Sequence, residues 1–174
     1  LKAPHIIAVQ EFCGDAQAQG DVPVPATKNA QILIDALRDC CGETYAYTEV
    51  APKNNCDGGR RGVNIRCGYF YRTDRVKLAP SAHPLETTNP TLQVNAHNLQ
   101  FIGANPAQLK PQHPCFEESR KPLAAQFTDI ATQETYTLMN LHLPSNGQPN
   151  KPVAPASFTV NPRRLEQRKQ QTEI

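Results

Sequence analysis

The chain has 174 residues, 39% of them apolar and 20% charged, which is a globular composition and a length that buries a core without staples. No apolar run approaches the ~18 residues a membrane helix needs, and the net charge of +2 excludes a protein that coats nucleic acid through bulk charge, leaving a local phosphate-binding patch open. The 16 prolines against 9 glycines exclude a helical bundle and point to strands joined by stiff loops.

The first predicted element is a strand over Ile6, Ile7, Ala8 and Val9, apolar enough to be buried on both faces and ending in Gln10 and Glu11. A carboxylate at the end of such a strand can reach a site at the sheet edge. A polar loop follows, and Thr27 is expected to cap a helix whose face is Ala30, Leu33, Ile34, Leu37 and Cys41, stopped by Gly42. A strand is expected from Tyr45 to Val50 and a turn-rich loop over 52–62. Residues 63–71 alternate, with Val63, Ile65, Cys67, Tyr69 and Tyr71 on one face and Asn64 and Arg66 on the other. Thr73-Asp74 reads as a turn into a paired strand beginning at Arg75 to Leu78.

Residues 79–120 read as a long proline-rich excursion with one short strand near 99–102. Strands are then expected at 123–128 and 136–143, joined by a hairpin loop over 129–134. On the second of these, Asn140 and His142 point one way and Met139, Leu141 and Leu143 the other. After a second proline-rich loop, Asn161 is expected to cap a last helix with Pro162 at its first position.

The six cysteines form no C-x-x-C pair, which argues against a zinc ribbon, and their even count points to disulfides and an oxidising compartment. Cys67, in an apolar alternation, also reads as a small core residue. No basic-then-apolar leader opens the sequence. Both ends look cut, since one lies four residues before a strand and the other inside a helix. Common nucleophile, P-loop, zinc-protease and EF-hand motifs are absent. What remains is a strand-end constellation of Glu11, Asn64, Arg66, Arg120, Asn140 and His142. A carboxylate suits a hard cation, arginine grips phosphate bidentately, and histidine can give a proton to a leaving oxygen. Those parts suit metal-assisted phosphoester hydrolysis.

Five blocks in order carry a resemblance. They are I-I-A-V-Q-E (6–11), D-G-G-R-R-G-V-N-I-R-C-G-Y-F-Y-R-T-D-R-V (57–76), N-P-A-Q-L-K-P-Q-H-P-C-F-E-E-S-R-K-P-L-A-A-Q-F (105–127), N-L-H-L-P-S-N-G (140–147) and R-R-L-E-Q-R-K-Q-Q (163–171). Together they resemble the endonuclease/exonuclease/phosphatase superfamily with its DNase I-like fold, in its secreted bacterial nuclease-like branch. The resemblance implies that Glu11 binds Mg2+, that Mn2+ or Ca2+ could replace it, and that His142 is catalytic and assists the leaving group. It implies phosphate contact for Arg120, with Arg66 and Asn140 beside it. Asn64, with Arg66, either faces the cleft as a catalytic position or holds the D-G-G loop. Asn146 stands where this branch usually has lysine.

The implied fold is α/β (α+β), a four-layer α/β sandwich of two mixed β-sheets flanked by helices. Residues 1–174 would form a single partial domain, lacking the family's first strand with its asparagine and its later G-D-x-N and D-H motifs. A complete fold of this kind needs roughly 250 residues or more, so the segment alone is expected to hydrolyse feebly or not at all. The expected function is a secreted or cell-surface endonuclease acting on DNA or RNA. The alternatives are a non-catalytic extracellular module and a phosphatase for a lipid or sugar phosphate. The discriminating features would be flanking motifs and cleavage itself.

Overall fold

The computed structural model describes residues 3–15, 23–81, 91–95, 98–144 and 162–174. They form a mixed α and β structure with two sheets and few helices. In chain order the elements are β1 (Ile6–Phe12), α1 (Thr27–Cys41), β2 (Tyr45–Thr48), β3 (Arg66–Arg72), β4 (Val76–Leu78), β5 (Thr91–Asn95), β6 (Asn98–Ile102), β7 (Ala107–Leu109), a 3-10 turn (Pro114–Phe116), β8 (Leu123–Asp129), β9 (Thr135–Asn140) and α2 (Pro162–Thr172). One sheet is antiparallel in the order β1-β3-β2. The other runs β4-β8-β7-β5-β6, with β9 on the opposite edge of β8, and is mixed because β5 and β7 are parallel.

Alternation along β3 sets the layers. Cys67, Tyr69 and Tyr71 face the second sheet and pack with Val76, Leu123, Ala125 and Phe127. Phe70 faces the other way and meets Tyr45, Tyr47 and the α1 residues Ala30, Leu33, Ile34 and Leu37. Thus α1, the three-stranded sheet and the six-stranded sheet stack in that order. Gly68 leaves room for the Tyr47 ring, which a Cβ there would strike.

β1 departs from the expected double burial. It is an edge strand, half-buried, with Ala8, Gln10 and Glu11 exposed. A bulge interrupts it: Val9 pairs with Gly68 and Phe12 with Arg66, so one extra residue enters β1. The extra residue restores Phe12 to the α1 face, where its ring lies 5.1 Å from Tyr47 and 5.5 Å from Phe70.

Other boundaries moved for identifiable reasons. Thr27 does not cap α1. Its start is held by Asp15, whose carboxylate accepts the Lys28 and Asn29 amides at 2.9 Å each. Gly42 ends the helix as expected, at φ 74° with its N–H on Arg38 O. β3 begins at Arg66, not 63, because Asn64 takes a left-handed φ of 51°. β4 pairs with β8 rather than β3. A turn tied by the Arg72–Asp74 pair, at 2.7 Å, swings it into the second sheet. Among the described residues the 79–120 stretch holds three strands rather than one, since β5, β6 and β7 are too short to show a period. Met139 and Leu141 prove to be the solvent side of β9.

All six cysteines are free thiols, so the expected disulfides are not formed in the structure. Cys67 is the small core residue its alternation suggested, and burial pushes its thiol up to about 12. Asn161 and Asn146 lie outside the described residues, and no helix among those described is long and apolar enough to cross a membrane.

Candidate functional site

The predicted positions divide into two groups. Glu11, Arg120 and His142 converge where the end of β1 meets the chain just past β9. Asn64, Arg66 and Asn140 are buried and committed to other partners.

The bulge delivers Glu11. As the second residue of the bulge it adopts φ 55°, in the left-handed region that costs an L-residue about 1–2 kcal/mol. The side chain leaves the sheet plane and is 69% exposed, with Oε1 3.4 Å from His142 Nε2. Strain of this kind concentrates at functional sites, where the surroundings must over-determine it. β9 stops at Asn140, so His142 sits in the extended chain beyond the strand rather than within it.

His142 is 16% exposed, and its other ring nitrogen, Nδ1, is buried without a partner. Burial and the Arg120 charge hold its pKa below the ordinary histidine value, against the pull of Glu11. Arg120 is 9% exposed. Its Nη2 donates to Leu143 O at 2.9 Å and its Nε is buried with no acceptor. Burial, and further the charge of Arg164, weaken its hold on the proton, though a guanidinium stays charged. A buried cation with an open donor, beside a ring with an open nitrogen, is a place for an anion.

Asn140 is corrected. Its amide donates to Val9 O at 2.9 Å and Gly68 O at 3.2 Å, and its oxygen accepts from Gln10 at 3.2 Å. It stitches the two sheets together and has no donor left for phosphate. Gln10 reaches on to Leu141 O and fixes the chain leading to His142. Arg66 is also corrected. Its side chain, 3% exposed, pairs with Glu49 at 3.0 Å and donates to Val24 O and Asn64 O, on the α1 side of the molecule. Asn64 is buried and bonded to the loop that leads into the D-G-G turn. Its oxygen accepts from the Asn55 amide at 2.7 Å and its amide donates to Asn54 at 3.2 Å. A neighbouring ion pair, Lys121–Asp57 at 2.6 Å, holds the D-G-G loop against the Arg120 segment. Gly58 there packs so closely on Glu118 O that a Cβ has no room.

A cleft of about 670 Å³ opens on the far side of that ion pair, lined by Pro52, Lys53, Cys56, His113, Phe116 and Lys121 among others. It contains none of Glu11, Arg120 or His142, so this cleft and the strand-end cluster are separate features.

For a divalent cation, the relevant donor is the exposed Glu11 carboxylate, with one oxygen near His142 and the other open. Among the described residues no group of three His, Cys, Asp or Glu forms a metal cage. Mg2+ commonly takes one or two carboxylates, water and substrate phosphate. The donor set fits that loose mode and no dedicated cage.

Sequence reading missed Gln10 as a positioning residue, although its alternation with Ala8 and Ile6 already placed it toward the second sheet. It also missed the face of α2 turned to this region, signalled only by polar residues at helical spacing. No protein-family model, no curated protein and no solved structure matches the chain.

Proposed function

We propose that this chain is the core of a metal-dependent phosphodiester hydrolase with a DNase I-like sandwich, acting extracellularly on DNA or RNA. One observation carries the reading: residues 109 and more positions apart, Glu11 with Arg120 and His142, meet at one end of two packed sheets with an arginine donor and a histidine nitrogen unsatisfied. Two sheets face to face, with α1 outside the first, agree with that architecture as far as three layers go.

In this reading Arg120 Nε receives a phosphate oxygen and orients the ester. The exposed Glu11 oxygen would hold Mg2+, which when bound supplies positive charge to offset that developing on the phosphoryl oxygens. His142 gives its proton to the leaving oxygen. Its lowered pKa makes the protonated ring a stronger acid and a rarer one, and Glu11 partly restores the population. Rate therefore falls as pH rises through a value below the ordinary histidine pKa. Buried Asn140, with Gln10 bonded to it, keeps the supporting backbone in place.

The test is nicking of supercoiled plasmid DNA with Mg2+, against an EDTA control. Cleavage that EDTA abolishes supports the hydrolase. Intact plasmid across Mg2+, Mn2+ and Ca2+ overturns it in favour of a binding module.

A further inference from the structure

Helix α2 buries the opposite face from an ordinary amphipathic helix. Arg164, Gln167, Arg168 and Gln171 occupy i, i+3, i+4 and i+7, the stripe that usually carries apolar residues. All four are half-buried or buried, whereas Leu165 is 54% exposed. The contacts fix this orientation. Gln167 Nε2 donates to Cys115 O and Glu117 O, each at 3.0 Å. Gln171 Nε2 donates to Cys115 O at 2.5 Å and Ser119 Oγ at 3.2 Å. Arg168 Nη1 reaches Pro144 O at 3.4 Å.

The two glutamines dock the helix, and the two arginines come with them toward Arg120. Arg120 holds Leu143 O while Arg168 holds Pro144 O, so two guanidiniums grasp adjacent carbonyls directly after His142. Arg164 is near enough for its charge to act on Arg120. Like charges brought together in a partly buried place cost free energy unless an anion offsets them. Among the described residues neither Arg120 nor Arg168 forms an ion pair, and Arg120 Nε and Gln171 Oε1 are buried unpaired.

We propose that α2 carries a second phosphate subsite, in which Arg168, with Arg164 one turn before it, binds the phosphate next to the one on Arg120. This rests on the hydrolase reading and sharpens it: the site takes a chain of phosphodiesters in preference to a single phosphate. The arginine fork, with two arginines an i, i+4 step apart, suits one phosphate held beside the one on Arg120.

The experiment is binding in EDTA, which removes cleavage from the readout. Fluorescent tetrathymidylate is followed by anisotropy, and thymidine 5′-monophosphate competes for the Arg120 position. Arg168→Gln should weaken tetrathymidylate about tenfold at low salt and reduce the slope of log K against log salt by roughly 0.7, leaving the mononucleotide unchanged. Arg168→Lys should retain most of the affinity, which separates lost charge from lost folding. Equal affinity of parent, Arg164→Gln and Arg168→Gln for tetrathymidylate overturns the subsite, as does equal weakening of both ligands. If binding behaves as predicted but the protein cleaves nothing with any metal, the hydrolase reading falls and the subsite stands.

Discussion

At residue scale, Glu11 is the most informative position. It is strained, exposed and weakly paired, so it contributes nothing evident to stability. Glu11→Gly should raise stability by about 1 kcal/mol, because glycine accepts the left-handed φ and an exposed ion pair is worth little. Metal-dependent cleavage should vanish in the same variant. Chemical denaturation and plasmid nicking measure the two, and a destabilised Glu11→Gly would show that the conformation is not strained. His142 gives a pH dependence. Its folded pKa lies below the unfolded one, so the unfolded chain binds more protons as pH falls past the unfolded histidine value. The contribution of His142 is therefore present above that pH and lost below it. His142→Gln should flatten this part of the stability–pH curve between pH 7 and 5.

Motif order named Glu11, Arg120 and His142, and the structure brings these three side chains together. Asn64, Arg66 and Asn140 are committed to buried partners, which the sequence does not reveal, since a polar residue in a strand looks the same whether it faces a ligand or a buried partner. Glu49 is what Arg66 needed, and nothing in the spacing of the two residues announces the pair. Hydrogen bonding tells them apart: Asn140 has both amide hydrogens spent, while the N–H of Arg120 Nε is buried without an acceptor.

At element scale, local signals were reliable where one element satisfied itself. Helix α1 and its glycine stop follow from period and cap chemistry. Its start does not, because Asp15 reaches it across a loop. Burial opposes ionisation of Asp15, but the Lys28 and Asn29 amides outweigh it and hold the carboxyl below its usual range. This stabilisation is present above the unfolded carboxylate pKa and is lost as pH falls through the folded value. Asp15→Ala should cost about 1 kcal/mol, read by thermal or urea unfolding at pH 7. β4 was legible as a strand but not as part of the second sheet, since partner choice depends on the turn at Arg72–Asp74. The pair formed by Glu49 and Arg66 ties β3 to β2 and to the α1 entry. Glu49→Ala should cost about 3 kcal/mol, at the lower end for a broken buried pair because backbone carbonyls still hold the guanidinium. An unfolding midpoint unchanged from the parent would contradict that.

At the scale of the whole molecule, the Glu11–His142 cluster depends on how the two sheets meet. Asn140 and Gln10 close the seam between β1 and β9, and this seam carries Glu11 to His142. Sequence could supply two sheets and a mixed α and β class but not the seam, which joins residues about 130 positions apart. Length and near-neutral charge were silent here as well. Arg120 and Arg168 hold adjacent carbonyls with Arg164 close by, so net charge understates the local field there.

The central claim is that His142 is the proton donor of a phosphodiester-cleaving centre. The pH–rate profile of plasmid nicking, compared between the parent and His142→Ala, tests it directly. The parent rate should decline on the alkaline side of a pKa below the ordinary histidine value, and the variant should be slower by about 10²–10⁴-fold with that limb absent. A variant that nicks at the parent rate with the same pH profile would contradict it.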